Sequence, residues 1–460
     1  MSADALGGAL LATAAVVAAA WAAGAAACAA LVPRGRRAER IGWGFAAGTA
    51  ILAAGTGAAY SAALGSPAIG PILLAAVAAG LGRRFALGDD PVGTLRGPGG
   101  RLTAVTAALA AVALYGLIVY AARALAEPLW PNDYFAIWGM KAKTFFAERA
   151  IPLRLFTWPS FEFSNPGYPL GLPLLYAGIA SILGRWEDHA LALLFPCWLA
   201  ATLAVLYGWL RRRGAPPTVA AAAGAAVACF APLYAAPLTG MAEAPLAFAL
   251  LLLGTALADA MDETDPGARR RLALAAAVAA GTKNEGLFVA GIAALLLAAA
   301  AFVGRDRAAA RRAALALIVP AVACALLHRL AVGSHPVRGI DLAYLKRPDL
   351  GDRLAEALRA TWTVHLRSSW LPIAACLVLL LAGRSVAHGN RLLLLGGLGA
   401  ATYLFLPALC PYGPLWLVTW TQGRNFASLA PLLAAAVAAR LAALPRGGAA
   451  PLSATAGVVT

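Results

Sequence analysis

The stretch LALAAAVAAGTKNEGLFVAGIAALLLAAAAFV, residues 272–303, decides how the chain is read. It is apolar throughout except at Thr282, Lys283, Asn284 and Glu285, and it lies between two arginine-rich connections, Arg269–Arg271 and Arg305–Arg312. An ionised side chain at the centre of a bilayer costs roughly 2.5–3.5 kcal/mol on insertion scales, so Lys283 and Glu285 call for a setting lined by protein. With both flanks on one side of a membrane, the stretch goes in and comes back. Its first arm, about 11 residues, supplies only ~16 Å of helix. The expectation is a re-entrant hairpin, or two short tilted helices, with the polar tip inside the membrane or near its outer face. Irregular backbone at that depth is tolerated only when buried in protein or lining a wet cavity.

The rest of the chain agrees with a membrane setting. Of 460 residues, 61% are hydrophobic and 13% charged, whereas a soluble domain carries about 25% charged residues. The apolar residues fall in blocks of roughly 18 to 25, each long enough to cross a ~30 Å hydrocarbon core. Predicted spans are 5–32, 41–63, 66–82, 102–123, 188–210, 216–236, 243–259, 312–331, 369–382, 392–410 and 425–443. The fold class is therefore an all-α, polytopic transmembrane protein with about 11–13 membrane helices and juxtamembrane helices in a long outer loop. As the class of the whole chain, a soluble enzyme, a secreted disulfide scaffold and a disordered tail are excluded. The expected organisation is N-terminal membrane helices in 1–101, a core in 102–331 that includes the outer loop 124–187, a cap in 332–368, C-terminal helices in 369–445 and a disordered tail in 446–460.

A net charge of +16 would suggest nucleic acid in a soluble protein. Here the arginines concentrate in short connections, Arg34–Arg40, Arg83–Arg101, Arg211–Arg213, Arg269–Arg271, Arg305–Arg312 and Arg384–Arg391. That is the positive-inside pattern, which places those connections in the cytoplasm and the long loops 124–187 and 332–368 outside. No nucleic-acid partner is expected. With the Ala and Gly excess, the arginines suggest a GC-rich bacterial genome. The six cysteines sit in or beside apolar stretches without CxxC spacing, so they read as buried structural residues. The first apolar stretch is too long for a signal-peptide core and lacks a basic leader.

Within loop 124–187, Pro131-Asn132-Asp133 reads as a helix start. Tyr134, Trp138 and Phe145 follow at near-helical spacing with Lys141, Lys143 and Arg149 between them, which predicts an interfacial helix over Tyr134–Arg149. The proline-interrupted segment after Tyr168 reads as a second juxtamembrane helix. Loop 332–368, with His335, Asp341, Tyr344 and His365, reads as a small cap without metal-ligand spacing.

Charges kept at depth or clustered at the outer face are the candidates for chemistry. Asp133, with Asn132 beside it, could deprotonate an acceptor hydroxyl; it could equally be an N-cap. Glu162 sits between two aromatics in Phe161-Glu162-Phe163 and is either a site residue or a loop acid facing water. Glu243 opens a span as a site acid or as a carboxylate favoured by the helix dipole. Lys283, with Asn284 and Glu285, suits a lipid phosphate or forms a local ion pair. Arg424, after Trp420 and Gln422, is a second phosphate clamp or an interfacial anchor. The sequence carries no Walker A, no GxGxxG after a strand, no HExxH and no GxSxG, so nucleotide-driven and nicotinamide chemistry lack a footprint.

The series Asn132-Asp133 with Trp138 and Lys141, Glu162 with Tyr168-Pro169, Glu243, Gly281-Thr282-Lys283 and Arg424-Asn425-Phe426 resembles the GT-C superfamily of polytopic glycosyltransferases. Within it, the likeness is to the bacterial protein-mannosyltransferase-like and aminoarabinose-transferase-like enzymes, over roughly residues 100–445. The resemblance implies transfer of a sugar from a polyprenyl-phosphate carrier to a hydroxyl-bearing lipid, glycan or protein acceptor on the extracytoplasmic face of a bacterial cytoplasmic membrane. It further implies Asp133 as the base, Lys283, Arg424 and Lys141 at the carrier phosphate, and Glu162 and Glu243 at the sugar or acceptor. No cofactor is expected. Many members pair two acids in the first loop; Asn132 stands there instead, which argues against Mg²⁺, usually held by one or two carboxylates. The spans before residue 100 also depart from the family's usual start. A transporter or lipid flippase would likewise explain intramembrane charge, but no second half mirrors Thr282–Glu285. A membrane anchoring protein would not need acids on one face.

Overall fold

The computed structural model of the chain describes residues 3–64, 66–87, 103–126, 128–130, 133–230, 232–234, 239–262, 265, 267–303, 307–333, 342–366 and 386–443. The expected span 369–382 and the tail 446–460 lie outside them, as do Asn132, His335 and Asp341. The chain is an all-α, multi-pass membrane protein. Among the described residues, eight helices are long and apolar enough to cross a membrane. Alanine and leucine dominate them, and these residues lose little side-chain freedom in a helix.

The centre of the bundle is the helix Glu243–Met261, in which every residue from Glu243 to Ala260 is buried. Its Pro245 falls in the first turn, where a missing N–H costs nothing. Helices Leu194–Arg212, Ala268–Thr282, Ala387–Phe405 and Ala430–Ala442 pack around it. Small residues allow these close approaches, as is usual where lipid offers no hydrophobic drive to helix association.

The stretch 272–303 forms two helices, Ala268–Thr282 and Asn284–Val303. Lys283 breaks them with an extended backbone (φ −157°, ψ 152°). This corrects the short first arm. The helix starts upstream and takes in Arg269–Arg271, because Arg271 is wholly buried and ion-paired with Asp259 and Asp265. The arms run 15 and 20 residues, or about 22 and 30 Å at 1.5 Å per residue. Lys283 lies level with Glu243, so the first arm runs the length of the central helix rather than dipping partway. Gly286 allows the turn to close: a Cβ there would sit 2.1 Å from the Ala279 carbonyl oxygen.

Other boundaries also move. The expected span 216–236 is a helix of 12 residues, Pro217–Ala228. The expected span 425–443 is the second limb of a broken span, in which Pro414–Ser428 and Ala430–Ala442 meet at 42°. Pro431 at the start of the second limb favours a helix beginning there. The segment after Tyr168 is a 13-residue helix, Gly171–Leu183, packed inside the bundle.

The loop helix over Tyr134–Arg149 forms as a π-helical turn, Tyr134–Trp138, followed by the α-helix Gly139–Glu148. Its stripe of Tyr134, Trp138, Lys141 and Phe145 faces protein, however, since it packs on Gly171–Leu183. Asp188 anchors the stripe by accepting from the Tyr134 hydroxyl and from Trp186 Nε1 (2.8 Å). In the cap, Leu350–Thr361 docks on the turn Leu406–Leu409, with Arg353 Nε donating to the Ala408 carbonyl (2.8 Å).

At the Asp259 end of the central helix, loop arginines are drawn inward onto acids. Arg212 bridges Glu39 and Asp259, each at 2.7 Å. Arg271 bridges Asp259 (2.8 Å) and Asp265. Arg36 pairs with Asp265, while Arg213 and Arg391 pair with Asp262.

Candidate functional site

A cavity of about 290 Å³ opens at the Glu243 end of the bundle, near the lower limit of ligand-sized pockets. One wall is polar: Asp133, Lys283, Asn284, Glu285, Arg424 and Asn425. Another part of the lining is apolar and mainly aromatic: Phe163, Phe288, Leu406, Trp416, Leu417 and Trp420. The Trp420 side chain is 62% exposed and Trp416 39%, so the aromatic wall continues onto the outside of the bundle. Tyr168 and Asn165 also line it, with Ala136, Ile137 and Thr421.

The polar wall is built from three distant parts of the chain, backed by Glu243 from a fourth. Asp133 precedes the π-helical turn Tyr134–Trp138 and makes no side-chain cap bond to it. Its carboxylate instead accepts from Arg424 Nη1 at 2.7 Å, across 291 positions of sequence. The side-chain N-cap alternative for Asp133 therefore fails, and Arg424 is held in an ion pair. Arg424 follows a second π-helical turn, Val418–Gln422. That turn is held by His365 Nε2 on the Val418 carbonyl (2.9 Å) and by Gln422 Nε2 on the Tyr403 carbonyl (3.0 Å). His365 itself belongs to a third such turn, Trp362–Leu366. Single π-turns strain a helix and often accompany functional sites.

Lys283 lines the cavity but is nearly buried, its side chain 6% exposed. An ammonium has three donors, and three acceptors surround it: Glu285 Oε1 (3.1 Å), Glu243 Oε1 (3.2 Å) and Asn425 Oδ1 (3.2 Å). Burial disfavours its charge, but the Glu243 and Glu285 carboxylates more than offset this and raise its pKa. Lys283 is the hub of the cluster. The local Lys283–Glu285 pair exists, but as part of a larger set. Arg424 reaches Glu243 as well, at 3.6 Å, so three carboxylates and two cations form one connected group.

Asn284 Nδ2 donates to the Gly167 carbonyl (3.2 Å), and Lys141 Nζ donates to the Asn165 carbonyl (2.8 Å). These two side chains pin the segment bearing Asn165 and Tyr168, where Asn165 holds a left-handed backbone (φ 48°). Lys141 is thus buried behind the wall and does not line the cavity. Burial pulls its ammonium down to about 7. Trp138 is also behind the wall, packed on Tyr168 with ring centroids 5.2 Å apart. Burial, and then the Glu285 carboxylate, holds the Tyr168 phenol above its usual pKa, so it remains a hydrogen-bond donor.

Of the residues expected at a site, Asp133, Tyr168, Lys283, Asn284, Glu285 and Arg424 line the cavity, and Glu243 backs it. Glu162 is exposed on the turn Pro159–Ser164 and does not line it; its neighbours Phe163 and Asn165 do. Asn425 and Phe163 stand in the quoted motifs without a site role, and Asn165, Phe288 and Trp416 carry none in the sequence reading. Asn425 adjoins Arg424 and Phe163 adjoins Glu162, so proximity to a charged candidate was the available signal. No group of three or more His, Cys, Asp or Glu able to hold a metal ion occurs among the described residues. The chain matches no protein-family model and no curated protein sequence.

Proposed function

We propose that the chain is a membrane glycosyltransferase of GT-C type. It moves a sugar from a polyprenyl-phosphate-linked donor to a hydroxyl of a lipid, glycan or protein acceptor. The observation that carries this reading is the convergence of Asp133 and Arg424 on one cavity with an ionic wall and an aromatic wall. A sugar phosphate on an isoprenoid tail presents the same division: a polar, anionic head and an apolar chain. Tyr168 and the aromatic wall offer surfaces for both.

Asp133 takes the proton of the acceptor hydroxyl as that oxygen bonds to the anomeric carbon. The bond from that carbon to the phosphate oxygen breaks, and its electron pair leaves with the phosphate. The phosphate passes from one negative charge to two while Asp133 becomes neutral, so total charge is conserved. Arg424 faces that developing charge and stabilises it more in the transition state than in the ground state. Lys283, with its donors engaged, holds Glu243, Glu285 and Asn425 in place rather than binding the phosphate directly.

Orientation follows from the opposite end of the central helix. The arginine-rich connections carrying Arg36, Arg212, Arg213 and Arg271 lie at the Asp259 end. Under the positive-inside rule a cytoplasmic Asp259 end supports a cavity at the extracytoplasmic face, which fits the proposed bacterial cytoplasmic membrane. The test is transfer of labelled sugar from a polyprenyl-phosphate donor by purified protein in vesicles. Loss of transfer in Asp133→Asn with normal insertion supports the reading; no transfer by the unmodified chain with any lipid-linked sugar removes it.

A further inference from the structure

The two cations of the site are not equivalent. Lys283 donates to Glu243 and Asn425, is ion-paired with Glu285 at 3.1 Å and is 6% exposed. Arg424 is 22% exposed; it uses Nε on the Trp420 carbonyl (3.1 Å) and Nη1 on Asp133, and its Nη2 makes no described contact. A guanidinium carries five N–H donors in a planar fork suited to phosphate. Asp133, the other half of the pair, is 34% exposed. The exchangeable charge of the cluster is therefore the Asp133–Arg424 pair, whereas the Lys283 contacts are sealed.

We propose that the Asp133–Arg424 ion pair is a resting latch that an incoming phosphate opens, taking the guanidinium and freeing the carboxylate. The inference rests on the reading of the cavity as a phosphate site. While the pair is closed, Asp133 Oδ2 is engaged by Arg424 Nη1 at 2.7 Å. Once the phosphate takes Arg424, Asp133 Oδ2 is released from the guanidinium, and only then is it free to accept from an acceptor hydroxyl. The donor thus binds first and prepares its own base. As the sugar–phosphate bond breaks, the second negative charge on the phosphate draws Arg424 further from Asp133, which by then holds the proton.

The prediction concerns binding, separately from transfer. A fifteen-carbon isoprenyl monophosphate is titrated into the full-length protein in detergent, with inorganic phosphate and the matching isoprenyl alcohol as parallel arms. Asp133→Asn removes the competing charge and is expected to bind the monophosphate about tenfold more tightly than the unmodified chain; Arg424→Gln is expected to bind about tenfold more weakly. The double variant should be as weak as Arg424→Gln. The same ratios with inorganic phosphate support the latch and assign it to phosphate in general. Equal or weaker binding by Asp133→Asn overturns it, as does tightening that persists in the Arg424→Gln background or appears with the alcohol. Should Asp133→Asn fail to insert, Asp133→Ser carries the same comparison. A chain that transfers sugar while Asp133→Asn shows no tightening loses the latch and keeps the transferase reading. Tightening in a chain that transfers nothing does the reverse.

Discussion

Asp259 and Glu243 lie near opposite ends of one helix, and each is 1% exposed. Around Asp259 the partners come from five segments and close on one another: Arg212, Arg213 and Arg271 reach it, and Glu39, Asp262 and Asp265 take up the remaining arginine contacts. Around Glu243 the cluster stays open. It faces a cavity, its Asp133–Arg424 pair is partly exposed, and Glu243 Oε2 and Glu285 Oε2 have no hydrogen-bond partner. Ion pairs of similar length therefore do different work. Unpartnered atoms do not separate the two ends, since Arg213 Nε and Arg271 Nε also lack a partner; the Asp259 end ties helices together with enclosed charge, and the Glu243 end keeps a partly exposed pair beside a cavity.

The largest expected effect tests the closed end. Asp259→Ala leaves the fully buried Arg271 with Asp265 as its remaining acid. Breaking a buried pair on one side costs about 3–5 kcal/mol, so the purified variant should melt well below the parent or fail to accumulate in membranes. A melting temperature unchanged in detergent would mean that the closed end is not what holds the bundle.

Lys141 provides a pH-dependent contrast beside the cavity. Its folded pKa lies at about 7 against an ordinary 10.5, because burial disfavours the ammonium. Between those values the unfolded chain binds the proton and the folded chain does not, so stability rises with pH across that window, by up to about 1.4 kcal/mol per unit. Below pH 7 the buried charge is a standing cost. Lys141→Met should lack this slope and gain on the parent as pH falls from 10 to 6. Parallel melting curves at every pH would show that Lys141 keeps an ordinary pKa.

Gly286→Ala acts where the hairpin turns toward the open end. The added methyl meets the Ala279 carbonyl oxygen at 2.1 Å, and a backbone oxygen cannot swing aside. Overpacking of this kind costs about 1–3 kcal/mol, and the displaced tip carries Lys283 with it, so stability and transfer should fall together. The smallest effect belongs to Asp133→Asn. A partly exposed pair is worth about 0–1 kcal/mol, so the variant should melt within about a degree or two of the parent. A large destabilisation would make the open end structural too, and would erase the contrast.

Much of the open end was legible because charge is scarce in an apolar chain. Lys283 and Glu285 interrupt a run that otherwise belongs in lipid, and Asp133, Glu243 and Arg424 each begin or flank an apolar block. The same reasoning misplaced Lys141 and Glu162, since spacing along a helix or between aromatics does not say which side of a wall a residue occupies. The closed end was not legible at all. Arginines in short loops carry an orientation signal whether they are solvated or paired, and the partners lie far off: Arg36 and Asp265 are 229 positions apart, and Arg212 and Glu39 are 173. The hairpin's true start was hidden for the same reason, because Arg271 inside a helix looks like a loop charge until Asp259 and Asp265 are seen beside it.

The central claim is that the open end transfers sugar with Asp133 as base. Its most direct test is initial-rate transfer of labelled sugar from a polyprenyl-phosphate donor in reconstituted vesicles, comparing the parent with Asp133→Asn at matched insertion and melting temperature. The account predicts measurable transfer by the parent and a loss of about 10²–10⁴-fold in the variant, the range removed with a general base. Transfer by Asp133→Asn at the parental rate would contradict it.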